Sequence, residues 1–187
     1  VRPTGVAVIA VVMIAALLAR RDGPRAWAAV VLAPLGFLGY LGFVATRTGS
    51  LTGWFRIQTD GWDTRMDLGG AAWRFLSETL TSAQEFAPVA TALVMLGTVA
   101  LLAWAAAARL PWPVLTYGAL VTASILLSSG LMMSRARLLL PAFVLLIPLA
   151  ALLSRQRSQT AAAVLVPVVA VSSWFGAYML TVFQYAI

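Results

Sequence analysis

The chain has 187 residues, 61% of them hydrophobic and only 10% charged, with a mean hydropathy of +0.92, which excludes an ordinary water-soluble domain and points to helices that cross a bilayer. Its formal charge of +7 comes wholly from arginines that sit mainly between apolar runs, where guanidinium groups anchor helix ends and meet lipid phosphates, so nucleic acid is excluded as a partner. The absence of cysteine and histidine removes disulfides, thiol nucleophiles and the common zinc sites.

The chain opens Val1-Arg2-Pro3-Thr4-Gly5 and runs straight into apolar sequence. No signal-peptide pattern is visible, and the chain is expected to be the C-terminal part of a longer protein. A first span is predicted over residues 4–19. Arg20-Arg21-Asp22-Gly23-Pro24-Arg25 forms a tight polar turn, where Gly and Pro end one helix and start the next. The second span, 26–46, carries Gly36, Gly39 and Gly42 on one side, a spacing that lets helices approach closely in lipid.

A polar interval, residues 47–86, follows and holds five of the six acids: Asp60, Asp63, Asp67, Glu78 and Glu85. Its second half, 66–80, places Gly69, Ala72, Trp73, Leu76 and Leu80 along one helical face, with Arg74 and Glu78 on another. That pattern predicts a short helix lying in the membrane interface. Ser82-Ala83-Gln84-Glu85 has the form of a capping box before the third span, 87–108. Arg109-Leu110-Pro111-Trp112-Pro113 is an interfacial turn with an aromatic anchor. The fourth span, 114–133, becomes polar near its end, at Ser124, Ser128, Ser129 and Gly130. Ser134-Arg135-Ala136-Arg137 interrupts it. The fifth span, 138–153, contains Pro141 and Pro148 and is expected to kink. After a turn at 154–158, the sixth span covers 160–183, with Tyr178 and Tyr185 as interface residues.

The expected architecture is therefore all-α: a polytopic integral membrane helical bundle of about six transmembrane helices, with one short interfacial helix in an outer loop. Residues 1–187 form a single transmembrane domain with that loop at 47–86. Alternation puts the turns at 20–25, 109–113 and 154–159 on one side, where Arg20, Arg21, Arg25, Arg109, Arg155 and Arg157 favour the cytoplasm. The polar interval, Arg2, and the corner with Arg135 and Arg137 then face the extracytoplasmic side of a multi-pass cell-membrane protein.

Three groups on that side carry candidate chemistry. Arg135 and Arg137, two apart at a helix start, suit a phosphate clamp, because guanidinium forks match phosphate geometry; snorkelling to lipid headgroups is the competing reading. Arg2, before a helix-starting proline, can join the same anion site or anchor to lipid. The stretch from Trp54 to Arg65 mixes aromatics, an amide and carboxylates: Gln58 and Trp62 can stack on or hydrogen-bond a sugar. Asp60 and Asp63 are weaker candidates, as general base or as ligands of a divalent cation. Arg56 and Arg65 lie near enough to neutralise both. No other cofactor or metal site is expected. No phosphate-binding glycine loop, nucleophile elbow or zinc motif occurs.

Three stretches together carry a family resemblance. Arg2-Pro3-Thr4-Gly5 opens a helix. Gly53-Trp54-Phe55-Arg56-Ile57-Gln58-Thr59-Asp60-Gly61-Trp62 forms the loop. Ser134-Arg135-Ala136-Arg137-Leu138-Leu139-Leu140-Pro141-Ala142-Phe143 forms the later corner. These resemble the C-terminal half of bacterial relatives of the PIG-V mannosyltransferases, polytopic glycosyltransferases of the GT-C class. The family's loop runs aromatic, Gln, Trp, matched by Trp54 or Phe55, Gln58 and Trp62. Its corner reads Ser-Arg-Pro-Arg, then leucines and Ala-Phe-Pro; here Ala136 and Val144 replace the two prolines. The resemblance implies transfer of a sugar from a polyprenyl-phosphate donor to a glycan, lipid or protein acceptor outside the cytoplasm. It also implies a catalytic acid in an outer loop upstream of Val1, so Asp60 and Asp63 are not promoted to that role. A transporter or lipid flippase, and a non-catalytic membrane subunit, are the alternatives. A flippase would need polar groups near the bilayer midplane and often repeats; the spans hold no charges near mid-depth, and no inverted repeat is visible.

Overall fold

The structure, a computed structural model, describes residues 4–19, 21, 23–82, 85–130 and 132–182. The helices are α1 (Gly5–Leu18), α2 (Pro24–Thr48), α3 (Gly53–Trp62), α4 (Gly70–Ser82), α5 (Phe86–Ala107), α6 (Trp112–Leu126), α7 (Arg135–Leu138), α8 (Ile147–Leu153) and α9 (Ser158–Thr181). Two 3₁₀ segments, Met132–Ser134 and Leu140–Leu146, flank α7. No β-strand occurs among the described residues.

Length decides which helices can cross a bilayer unaided. At about 1.5 Å per residue, a span of roughly 30 Å needs some 20 residues. α2, α5 and α9, with 25, 22 and 24 residues, are long and apolar enough. A fourth is Met132–Leu138 with Leu140–Leu153, if that pair is taken as one span bent by 52°. α1 and α6, with 14 and 15 residues, are apolar but shorter. The described chain is thus all-α, with three to four helices long and apolar enough to cross a membrane.

The core is built where small side chains let helices close up. Ala7 of α1, Ala72 of α4, Met95 and Ala105 of α5, and Val121 and Ile125 of α6 bury against Leu139, Ala142 and Leu145. Within this core, a close approach falls at Gly118 of α6. A Cβ there would lie 2.5 Å from Leu145 Cδ2, so glycine lets Leu145 of the 3₁₀ helix Leu140–Leu146 pack against α6 without displacement. That segment is long for 3₁₀ geometry. Pro141 near its start and Pro148 just beyond it each lack a backbone N–H, and the expected kink takes this form.

α2 and α9 lie outside this core, and none of their described residues is buried. α2 packs on α1. The glycine stripe Gly36, Gly39 and Gly42 expected to bring a neighbour close meets nothing within 4 Å of any added Cβ. α9 touches α5 through aromatic rings. Phe86 meets Trp174 edge-on at 5.2 Å and Tyr178 at 6.0 Å, and Trp174 stacks on Tyr178 at 5.8 Å.

The polar interval is more helical than its composition predicts. α3 occupies most of the stretch read as loop. Its N-terminal Trp54 packs edge-on against Phe37 of α2 at 6.1 Å. Its end is closed by Asp63 in a left-handed conformation (φ 46°), and the Thr64 N–H reaches back to the Gln58 carbonyl at 3.4 Å. The expected interfacial helix is α4, beginning at Gly70 rather than residue 66. Its predicted face is divided. Ala72 is buried, whereas Trp73 and Leu80 are exposed; Thr79, outside the predicted face, is buried on Ala72's side of the helix. The side facing α5 is a narrow stripe, and residues one step (about 100°) around the helix turn outward. The capping box does not form as predicted. Ser82 ends α4 with its hydroxyl donating to the Glu78 carbonyl at 2.8 Å, and Glu85 caps α5 from an extended backbone without a side-chain hydrogen bond. Ala83, Gln84 and Tyr185 lie outside the described residues.

Candidate functional site

The polar end of the fourth apolar run has a structural cause. α6 stops at Leu126, and Gly130 turns the chain with φ 77°. Between them the backbone leaves the helix and pairs with the polar loop at 65–67. Met66 and Ser128 form an antiparallel bridge. The Asp67 N–H donates to the Leu127 carbonyl at 3.1 Å, and the Ser129 N–H donates to the Arg65 carbonyl at 2.7 Å. The Ser129 hydroxyl accepts from the Arg65 N–H at 3.0 Å and donates to the Asp63 carbonyl at 2.9 Å. The acidic loop is thereby fastened to the corner that carries the arginines.

Arg135 is the centre of this junction. It is 1% exposed, the largest fully buried side chain among the described residues. Its Nη2 donates to the Ser128 carbonyl, and its Nη1 is buried without a hydrogen-bond partner. A buried guanidinium with an unsatisfied donor is costly unless an anion meets it. Arg137 behaves differently. It is exposed, and its Nη2 lies 3.4 Å from Ser134 Oγ. Two residues along a helix are about 200° apart in direction, so the pair does not present a common face.

Asp67, absent from the sequence-derived candidates, is the acid whose charge acts on Arg135. Its carboxylate caps α4, accepting from the Gly69 N–H at 3.1 Å and the Ala71 N–H at 2.6 Å. The Ala71 N–H is the main influence holding this carboxyl below its usual range. Partial burial opposes it, and the Gly69 N–H and the charges of Arg135 and Arg74 add to the lowering. Asp67 is thus ionised and opposite in sign to Arg135. The turn it heads is strained, since Leu68 is left-handed at φ 55° and Gly69 follows at φ 90°.

The other sequence-derived residues lie along α3 and the turn after it. Gln58 is half-buried, and Asp60 is exposed. Asp60, Thr48, Gly53, Arg56, Ile57 and Gly61 line an open groove of about 510 Å³ between the end of α2 and α3. Asp63 is exposed and ion-pairs with Arg65 at 3.5 Å, as the sequence suggested when it placed a neutralising arginine nearby. Such an exposed pair contributes little to stability. Trp62 is the last residue of α3, and its side chain lies outside the described set, as does all of Arg2. For a divalent cation, no three Asp or Glu side chains gather among the described residues.

Two features were hidden from sequence reasoning. Asp67 is one acid among five in the interval, and only its place before Gly69-Gly70 hinted at a helix cap. Ser129 read as an ordinary polar residue in a span, although the cluster Ser128-Ser129-Gly130 signalled that the helix had ended. Comparison with protein-family models, curated proteins and solved structures yields no match.

Proposed function

We propose that this chain forms the membrane-embedded part of a GT-C-type glycosyltransferase that takes a sugar, mannose on the family resemblance, from a polyprenyl-phosphate donor. The observation that carries the reading is Arg135: a buried guanidinium with one Nη1 uncommitted. In transfer, an acceptor hydroxyl attacks the anomeric carbon and gives its proton to a general base, the bond from that carbon to the phosphate oxygen breaks, and lipid phosphate departs with the negative charge. A preformed, partly dry cation stabilises that departing charge more than the same group in water would. Arg137, exposed at the same corner, supplies a second, wetter contact, and Arg2 a third. Gln58 and Trp62 on α3 orient sugar or acceptor. In this reading the apolar helices pass the membrane six times, α1 and α6 included, and the Arg135 corner faces the extracytoplasmic side. The acceptor is a glycan, a lipid or a protein. The general base is assigned to no residue of this chain, and the exposure of Asp60 and Asp63 supports leaving them out of that role.

The test is transfer from the lipid-linked donor by the full-length protein carrying Arg135→Ala, Arg135→Gln or Arg137→Ala. Loss of a single charge-stabilising donor lowers turnover by about 100-fold or more. That loss is expected for both Arg135 variants, with a smaller one for Arg137→Ala. The melting temperature of each variant, measured alongside, separates lost chemistry from lost folding. Unchanged transfer in all three would sink the reading.

A further inference from the structure

We propose that Ser129 is the positioning residue of the Arg135 site: its hydroxyl clasps the outer loop in register against the end of α6, and so sets where Arg135 presents its free Nη1. This rests on the reading of Arg135 as the phosphate ligand. The contacts are unusual for one serine. Backbone N–H and side-chain hydroxyl together engage the Arg65 carbonyl, the Arg65 N–H and the Asp63 carbonyl, across 64 to 66 residues of chain. Besides the hydroxyl's bonds, two backbone bonds join the loop to this bridge among the described residues, Asp67 to Leu127 and Ser129 to Arg65.

The clasp acts on Arg135 from both sides. On the α6 side, the residue next to Ser129 supplies the carbonyl that receives Arg135 Nη2. On the loop side, two residues beyond Arg65, Asp67 brings its carboxylate into the field of Arg135 and caps α4. A shift at the end of α6 moves the Ser128 carbonyl that holds the guanidinium, and a shift of the loop moves the charge of Asp67. The clasped stretch is also bracketed by left-handed non-glycine residues, Asp63 at φ 46° and Leu68 at φ 55°. Such conformations persist only where the surroundings over-determine them. The nearby Arg65–Asp63 ion pair is exposed on both partners and is no substitute for the clasp.

The absence of native cysteine permits a direct test. Met66 and Ser128 face each other as a non-hydrogen-bonded antiparallel pair, whose Cα atoms lie about 4.5 Å apart, within disulfide reach. The full-length protein is prepared as Met66→Cys/Ser128→Cys, alone and with Ser129→Ala or Ser129→Thr. Two quantities are measured: affinity for a polyprenyl monophosphate in mixed micelles, and the rate at which the cysteine pair oxidises. In the reduced state, Ser129→Ala is expected to weaken phosphate binding by about tenfold and to slow oxidation by a similar factor, with Ser129→Thr restoring both. Oxidation of the Ser129→Ala protein restores its affinity, because the disulfide replaces the clasp; a residue needed only for folding would not be rescued in this way. Equal oxidation rates with and without the hydroxyl overturn the clasp. Unchanged affinity in Ser129→Ala, or no recovery on oxidation, overturns its positioning role. Failure of the reference protein to bind the lipid phosphate at all overturns the phosphate reading instead.

Discussion

Replacing Gly118 with alanine tests how the Arg135 corner is held. An added Cβ would stand 2.5 Å from Leu145 Cδ2 and 2.9 Å from Cγ. Carbon atoms in good contact sit about 3.5–4.0 Å apart, so the two must separate by roughly 1 Å. Leu145 is 1% exposed and packed with Val121 and Ala142, which leaves it nowhere to go. Overpacking of this kind costs about 1–3 kcal/mol. Against it, alanine is favoured over glycine in a helix by about 1 kcal/mol. The net expectation for Gly118→Ala is a destabilisation of up to about 2 kcal/mol. Leu145→Ala alone costs about 2–5 kcal/mol, but it empties the space that the new Cβ needs. In that background Gly118→Ala should therefore stabilise, by about 1 kcal/mol. The four proteins of this double-mutant cycle are compared by chemical unfolding in detergent micelles. The same effect of Gly118→Ala in both backgrounds would refute the close approach of α6 and the 3₁₀ helix.

Further outcomes follow from buried and charged groups. The hydroxyls of Thr91 and Thr122 are buried in α5 and α6 without a hydrogen-bond partner, so Thr91→Val and Thr122→Val should each raise the melting temperature, by the equivalent of about 1 kcal/mol; a fall would mean that the hydroxyl has a partner. Asp67 has its pKa lowered by folding from a reference value of 3.8, so its contribution to stability is fully present above that value and is lost as pH falls through the folded-state value. Melting temperatures followed downward from neutral pH should therefore drop less in Asp67→Asn than in the parent below about pH 3.8, and parallel curves would remove Asp67 from the account. The losses of transfer in the Arg135 variants and the rescue of Ser129→Ala by a disulfide complete the set.

Much of the helical layout was legible in the sequence because it follows from local rules. Runs of apolar residues long enough for lipid, broken by Gly, Pro and Arg, located α1, α2, α5 and α9 to within a few residues. In each case the periodicity and the breakers agree, and no distant contact competes. The reading failed where local signals were weak or where distant chain intervened. α3 was read as loop because glycines stand at positions 53 and 61 and its aromatics have modest helix propensity; packing of Trp54 on Phe37 stabilises it. α6 was read through to residue 133. Hydropathy continues past Leu126, but the backbone leaves the helix to pair with residues 65–67, which a sequence window cannot see.

The same division holds for the candidate site. Sequence alone singled out Arg135 and Arg137 equally, since composition and spacing treat them alike. Only the tertiary structure separated them, burying Arg135 at the junction of α6 with the polar loop and leaving Arg137 in the open. The acid that matters there, Asp67, was indistinguishable by type from Asp60 and Asp63. Its role comes from α4 beginning at Gly70 and from Ser128 and Ser129 lying opposite. Membrane insertion and helical class are thus properties of the chain's local chemistry, because apolar length and backbone hydrogen bonding in lipid leave few alternatives. Which arginine is buried, and which carboxylate's charge acts on it, depends on contacts between residues more than 60 positions apart, and only the folded chain brings those together.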